Sequence, residues 1–171
     1  MDTTTAKTAH DTDREFEALL ERHRGIVFKI AHTYCHHVDD RADLAQEIAA
    51  QLWHAFPSLD RTRSVSTWMY RIALNVAISH VRHQVVRAGR TVSIDDALHD
   101  IGDDTAVTPE SAQHLRILQG FIARQAPLDR ALLLLYLEDR PQREIAEVLG
   151  ITESNVSTKI ARLKQRIRDE I

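Results

Sequence analysis

Apolar residues recur at steps of three and four along three stretches in the first half of the chain. The stretches cover residues 16–34, residues 43–56, which end at Pro57, and residues 67–87. This spacing places the apolar side chains on one face of an α-helix. Three amphipathic helices with short connections predict one helical domain, which we assign to residues 14–88.

The helical periodicity stops over residues 89–112 and then restarts. This segment contains two glycines, a proline and six acidic residues against one basic residue, which predicts an acidic linker. Beyond it, residues 128–137 (LDRALLLLYL) are almost entirely apolar, which predicts a helix that is buried on most sides or covered by a partner. We therefore expect an all-α protein with two small helical domains, the second over residues 113–171.

The composition excludes several other classes of protein. With 5 glycines and 4 prolines in 171 residues, the chain has too few turn formers for a β-sandwich or barrel. Its single cysteine excludes an intramolecular disulfide framework. No apolar run approaches 18 residues, and the first 13 residues lack the apolar core of a signal peptide. These features predict a cytoplasmic protein that does not insert into membranes.

The formal net charge of −3 hides an uneven distribution along the chain. Residues 14–88 carry ten basic and eight acidic side chains, and residues 114–171 carry the same numbers. Two mildly basic blocks therefore flank the acidic linker. Each block is compatible with binding to nucleic acid, although the whole chain is close to neutral.

Residues 142–161 (QREIAEVLGITESNVSTKIA) have the pattern of a helix-turn-helix. Gly150 permits the left-handed turn that ends the first helix, and the small Ala146 lets the two helices approach closely. Thr152 is a good N-cap for the second helix. Val156 and Ile160 begin a buried stripe along that helix.

The polar side of this second helix predicts contact with DNA. Short polar side chains near its start can reach base edges, while cations further along can meet phosphates. The alternative is an ordinary solvated face on a packing helix. The residues that we expect to contact duplex DNA are Arg143 on the preceding helix and Ser154, Asn155, Thr158, Lys159, Arg162 and Arg166.

A second polar face, on the helix over residues 67–87, combines an aromatic ring with cations. Stacking on bases and neutralisation of phosphates are what single-stranded DNA requires. The residues on this face are Trp68, Arg71, Asn75, Ser79 and Arg82, and Arg61 and Arg63 precede them in a polar loop. The alternative is a tryptophan that only covers the loop over residues 57–66.

The helix over residues 43–56 carries an acidic polar face that contains Asp43, Gln46 and Glu47. Acidic side chains do not serve DNA binding, so this face predicts a protein partner with a basic helix or groove. An ordinary solvated face is the alternative.

An enzyme or a metal protein is a third class to consider. His32, Cys35 and His36 have the helical spacing that could bring them to one metal ion, although a structural site normally uses four ligands. We find no phosphate-binding glycine loop and no HExxH, CxxC or GxSxG motif. We therefore expect no catalytic residues, no metal and no cofactor.

Two segments together resemble a known family. DDRADLAQEIAAQLWHAF with STWMYRIALNVAISHVRH resembles region 2 of bacterial sigma factors of the extracytoplasmic-function type, a branch of the sigma-70 family. ALLLLYLEDRPQREIAEVLGITESNVSTKIARLKQRIR resembles their region 4. The resemblance covers residues 14–88 and 113–171, in the order that the family has.

The resemblance implies a function and a set of partners. Region 2 of the family binds the β′ clamp of RNA polymerase core and opens the promoter −10 element, and region 4 holds the β flap and reads the −35 element. The acidic motif then corresponds to Asp40, Asp43, Gln46 and Glu47, and the loop over residues 59–67 to the segment that captures a flipped base. The linker would thread the polymerase cleft, and an anti-sigma factor or a kinase would be a further partner.

One other function competes with this interpretation. A stand-alone helix-turn-helix regulator would use its N-terminal domain to bind a ligand or to dimerise. Such a domain needs an apolar cavity, whereas Trp68 stands on a polar face and the helix over residues 43–56 is acidic. Both features favour a sigma factor.

Overall fold

The structure, a computed structural model, describes the backbone of residues 3–88 and 108–170, and the side chains of residues 10–87 and 108–170. Within these ranges the chain is helical and has no strand, so the predicted all-α class is confirmed. The eight α-helices are α1 Thr3–Arg22, α2 Arg24–Tyr34, α3 Val38–Ala55, α4 Val65–Ala88, α5 Pro109–Ala123, α6 Pro127–Leu137, α7 Gln142–Leu149 and α8 Glu153–Glu170.

The first helical stretch differs from its prediction. The backbone of His23 leaves the helical conformation (φ −113°, ψ 14°), and the predicted single helix over residues 16–34 is therefore two helices, α1 and α2. Helix α3 begins at Val38, five residues before the predicted start, and a 3₁₀ turn over Phe56–Ser58 follows it at Pro57. Proline lacks the N–H that a longer helix would need at this point.

The core of the N-terminal half is built from the predicted stripes. Leu44, Ile48 and Leu52 of α3 are fully buried, and so are Ala73 and Ala77 of α4. Each of these positions follows its neighbour by three or four residues, and burial of apolar side chains is the main stabilising contribution to such a bundle. The helix pattern in the sequence therefore located this core correctly.

The C-terminal half begins earlier than predicted. The Thr108 hydroxyl accepts a hydrogen bond from the Ser111 amide at 3.3 Å, and Pro109 occupies the first turn of α5. The last four residues of the predicted linker are therefore helical, because threonine and proline together form a strong N-terminal signal. The remainder of the predicted linker, residues 89–107, lies outside the described residues.

The helix-turn-helix over α7 and α8 has the predicted left-handed turn. Gly150 adopts the left-handed conformation (φ 67°, ψ 33°), and the Asn155 amide donates to the Thr152 hydroxyl at 3.1 Å. Val156 and Ile160 are buried on the inner face of α8. Predicted turn, N-cap and stripe are all confirmed.

The two helical halves pack against each other. Helices α6 and α7 contact α4, and α5 and α6 contact α2. The hydroxyl of the buried Tyr34 donates to the carbonyl oxygen of Pro127 at 2.6 Å. The N-terminal half thus covers part of the apolar helix α6, whose residues Ala131–Leu135 are buried. None of the helices in the described ranges combines the length and the hydrophobicity needed to cross a membrane.

Candidate nucleic-acid interface

The polar side of α8 faces solvent. Its buried stripe packs inward, and the opposite arc is left open because residues three and four apart share a face. The exposed members of the predicted duplex-binding set are Ser154, Asn155, Thr158, Arg162 and Arg166, with Arg143 on α7. The Thr158 hydroxyl donates to the Ser154 carbonyl oxygen at 2.9 Å, which fixes the first turn of this arc.

Two cations of α8 also have contacts inside the C-terminal half. The ammonium group of Lys159 lies 3.2 Å from a carboxylate oxygen of Asp129 in α6, and Lys159 is only partly exposed. The guanidinium of Arg166 lies 5.9 Å from the ring centroid of Phe121 in α5. The cations of the arc therefore differ in their contacts within the chain, which their common helical face does not predict.

The polar face of α4 is exposed at four of its five predicted positions, namely Arg71, Asn75, Ser79 and Arg82. Trp68 is different, because it is partly buried and packs against the core. The position of Trp68 among polar residues in the sequence did not indicate this packing. Trp68 therefore contributes to the core and also lines a surface cavity.

This cavity, of about 290 Å³, lies where the loop before α4 meets the start of that helix. Its lining comprises Ser58, Leu59, Asp60, Arg63, Ser64, Thr67, Trp68, Arg71 and Glu147. The loop is shaped by Asp60, whose carboxylate accepts from the hydroxyl of Thr62 at 2.6 Å and from its amide at 3.0 Å. These two hydrogen bonds lower the pKa of the Asp60 carboxyl. A ring, a guanidinium and loop hydroxyls thus surround a space that can admit a planar group.

The two loop arginines have different surroundings. Arg63 lines the cavity and lies 3.3 Å from the Glu147 carboxylate of α7. Arg61 instead pairs with Glu15 of α1 at 2.8 Å and stands 5.7 Å from the ring centroid of Phe56. The structure therefore brings Arg63, Trp68 and Arg71 together and directs Arg61 towards α1.

The acidic face of α3 is exposed at Asp43, Gln46 and Glu47 and half-buried at Asp40. Glu47 has a partner within the chain, because its carboxylate lies 3.3 Å from Nδ1 of His80 in α4. The predicted acidic face is therefore present on the surface, with one of its members in contact with a neighbouring helix.

An apolar groove of about 520 Å³ runs beside Gln46, between α1, α2 and α3. The ring of Phe28 is 55% exposed at this groove, which Leu20, Val27 and Ala49 also line. Phe28 is not among the residues that the sequence pattern singled out. The available signal was a large aromatic residue outside the apolar stripe of its helix.

The three residues that could form a metal site differ in how far they are buried. Cys35 is buried, His36 is half-buried and His32 is exposed. Burial raises the pKa of the Cys35 thiol to about 11, and burial also lowers the pKa of His36, with Arg130 adding to that shift. Across residues 10–87 and 108–170, no three His, Cys, Asp or Glu side chains are grouped so that they could hold a metal ion.

Comparisons with known proteins assign both helical halves to one family. Residues 19–86 match the family model for Sigma-70 region 2, and residues 116–167 match the model for Sigma-70, region 4. The chain is 24% identical over 167 residues to the ECF RNA polymerase sigma factor SigW of Bacillus subtilis, covering 91% of this chain and 88% of that protein. It is 26% identical over 166 residues to the RNA polymerase sigma-H factor of Pseudomonas aeruginosa, covering 90% and 84%.

A solved structure has the same fold. The structure of CnrH in complex with the cytosolic domain of CnrY superposes with a TM-score of 0.66 and 21% sequence identity. The match covers 96% of this chain and 92% of the matched chain. At this level of identity the likeness concerns the arrangement of helices.

Proposed function

The chain belongs to the sigma-70 family, as a factor of the extracytoplasmic-function type that directs RNA polymerase to start transcription, and we propose how its two regions divide that task. Region 2, placed at residues 14–88, holds the polymerase core and opens the −10 element. Region 4, from Pro109 onward, reads the −35 element. An acidic linker joins them through the polymerase cleft. The observation that carries the proposal is a cavity lined by Trp68 and Arg71 in the same chain as a solvent-facing helix-turn-helix.

The −35 contacts are assigned to the exposed arc of α8. Ser154, Asn155 and Thr158 lie near the start of the helix, where a recognition helix meets base edges. Arg162 and Arg166 lie one and two turns further along, where cations meet the phosphates of the duplex. Arg143 on α7 adds a phosphate contact from the first helix of the motif.

The −10 contacts are assigned to α4 and the loop before it. The cavity beside Trp68 is larger than one nucleobase, and its aromatic wall offers the stacking that stabilises an unpaired base. Arg63 and Arg71 supply positive charge at its rim, and Asn75, Ser79 and Arg82 continue the polar face along α4. Arg61 is assigned to the backbone of the opened strand, which requires it to leave Glu15.

The polymerase contacts are assigned to α3. Asp40, Asp43, Gln46 and Glu47 attract a basic helix, and the neighbouring groove with Phe28 gives such a helix an apolar surface to bury. The β′ clamp of the core is the proposed partner here, and the β flap is the proposed partner of region 4. An anti-sigma factor or a kinase is included as a regulator, since CnrH assembles with the cytosolic domain of CnrY.

Under this proposal the chain catalyses no reaction, uses no cofactor and acts in the cytoplasm, where the polymerase supplies the catalysis. The deciding experiment is transcription in vitro with RNA polymerase core and a pool of genomic promoters, with mapping of start sites. Specific starts that depend on the added chain support the proposal. A chain that binds duplex DNA but neither copurifies with core nor changes its start sites would be a stand-alone regulator.

A further inference from the structure

The turn between α6 and α7, together with the start of α7, crosses from region 4 to region 2. We call residues 138–147 the α6–α7 corner. Asp139 within it adopts a left-handed conformation (φ 58°), and the Arg140 amide donates to the Leu135 carbonyl oxygen at 3.1 Å, which ends α6 sharply. This turn directs the side chains of the corner against α2 and α4.

Glu138 at the start of the corner contacts two elements of region 2. Its carboxylate pairs with the ammonium group of Lys29 in α2 and accepts a hydrogen bond from the hydroxyl of Tyr70 in α4. The Glu138 side chain is 16% exposed and the Lys29 side chain 49% exposed, so the contact with Tyr70 is the better shielded of the two.

Arg140 extends the contact along α4. Its guanidinium stands 4.9 Å from the ring centroid of Tyr70 and donates to the Ser66 hydroxyl at 3.2 Å. The same group donates to Glu144 of α7 at 2.8 Å, and Glu144 accepts from the Thr67 hydroxyl at 2.8 Å. The first turn of α4 is therefore bound to α7 by a connected set of hydrogen bonds.

Glu147 completes the set at the cavity itself. Its carboxylate lies 3.3 Å from Arg63 and forms part of the cavity lining beside Trp68 and Arg71. A carboxylate at this place has the charge of a DNA phosphate and occupies the surface that we assign to the opened strand. Phosphate and carboxylate would compete for the same arginine.

We propose that the α6–α7 corner is an internal competitor for single-stranded DNA, an inference that rests on the −10 assignment above. While the corner is docked, Glu144 contacts Thr67 and Glu147 contacts Arg63, so the phosphates of an unpaired strand must displace these carboxylates to bind beside the cavity. The recognition arc of α8 remains exposed meanwhile. The packed protein can therefore read duplex DNA, and it binds single strands tightly only when region 4 moves away from region 2.

The test compares three full-length proteins: wild type, the double variant Glu144→Gln with Glu147→Gln, and the control Glu110→Gln. Glu110 is an exposed acid in the first turn of α5, so the control loses charge outside the corner. The single variant Glu147→Gln is added because Glu147 is exposed and its change leaves the buried contacts in place. The probes are a fluorescent mixed-sequence single strand of about twelve nucleotides and the matching duplex. Hydrogen exchange of α7 and the start of α4 reports the packing separately.

We expect the double variant to exchange faster in α7 and to bind the single strand roughly three- to tenfold more tightly, with Glu147→Gln giving a smaller gain in the same direction. Duplex affinity should change no more than in Glu110→Gln. Single-strand affinities equal to the control, with exchange unchanged, would overturn the competitor while promoter-specific transcription still supports the sigma function. Faster exchange without tighter single-strand binding would overturn both the competitor and the −10 assignment.

Discussion

The ammonium group of Lys159 on α8 lies 3.2 Å from the carboxylate of Asp129 on α6, and both side chains are partly buried. A cation of the recognition helix is thus used to hold that helix against the rest of region 4. The two residues are 30 positions apart, so no local pattern in the sequence could join them. This ion pair distinguishes Lys159 from Arg162, although helical periodicity places both residues on one arc.

Arg162→Ala and Lys159→Ala should therefore differ in duplex binding. We expect Arg162→Ala to reduce the slope of log affinity against log salt by about one, because one phosphate contact is lost. Lys159→Ala should weaken duplex binding with a smaller change in slope. Asn155→Ala should leave the slope unchanged and relax base preference by ~1–3 kcal/mol. Salt titrations of binding to a mapped promoter check these three expectations, and Lys164→Ala is the control. Unchanged binding in Arg162→Ala, Lys159→Ala and Asn155→Ala would show that another face of the protein contacts the duplex.

Trp68→Ala should slow promoter opening. Loss of a stacking surface costs ~1–3 kcal/mol for an unpaired base, and a promoter with a pre-melted bubble should restore activity. Because Trp68 also packs against the core, thermal unfolding must be measured alongside. The control is Trp53→Ala, whose ring is 38% exposed and contacts Phe16, and which should lower stability without slowing opening. If the bubble failed to rescue a folded Trp68→Ala protein, the tryptophan would be structural only.

Glu47→Lys should abolish binding to the polymerase core. The change replaces attraction by repulsion at a close contact, which costs several kcal/mol. It also removes the contact with His80, so circular dichroism should accompany the pull-down with core. The control Glu110→Lys carries the same charge change on α5 and should bind core normally. Unchanged affinity of Glu47→Lys would remove this face of α3 from the interface.

Gly150→Ala should destabilise the protein by about 1–2 kcal/mol, because an alanine Cβ is strained in the left-handed conformation. No atom crowds a Cβ at Gly150, so the cost comes from the backbone alone. Gly25→Ala is the matched control, since its Cβ also meets open space while Gly25 lies within α2. That variant should be stabilised by up to about 1 kcal/mol. Urea unfolding of both proteins checks the opposite signs.

Cys35 should be unreactive in the native protein. Its thiol is buried and its pKa is raised to about 11 from an ordinary value of 9.0, so the thiolate at neutral pH is about a hundredfold scarcer. Native protein should therefore react with iodoacetamide far more slowly than protein in urea, and the native rate should rise with pH. Rapid native alkylation at neutral pH would contradict the burial of the thiol.

Local patterns in the sequence predicted most of the helices, the two helical halves and the helix-turn-helix. Periodicity of three and four marks a buried stripe wherever a helix packs on one side, and Gly150 with Thr152 encodes a corner through local backbone preferences. These signals act within a few residues, so they survive without any knowledge of the tertiary structure. Family resemblance added the order of the two regions.

Which polar residues are exposed and which are already paired depends on contacts between helices that are far apart in the sequence. Arg61 pairs with Glu15, Lys159 with Asp129, and Glu147 with Arg63. The partners in each pair are too far apart in the sequence for helical periodicity to predict the contact. The docking of region 4 on region 2 is equally invisible to periodicity, because Glu138 and Arg140 belong to a polar turn. Side chains from separate helices meet only once the core has set the positions of those helices, and the competition at the cavity follows from that arrangement.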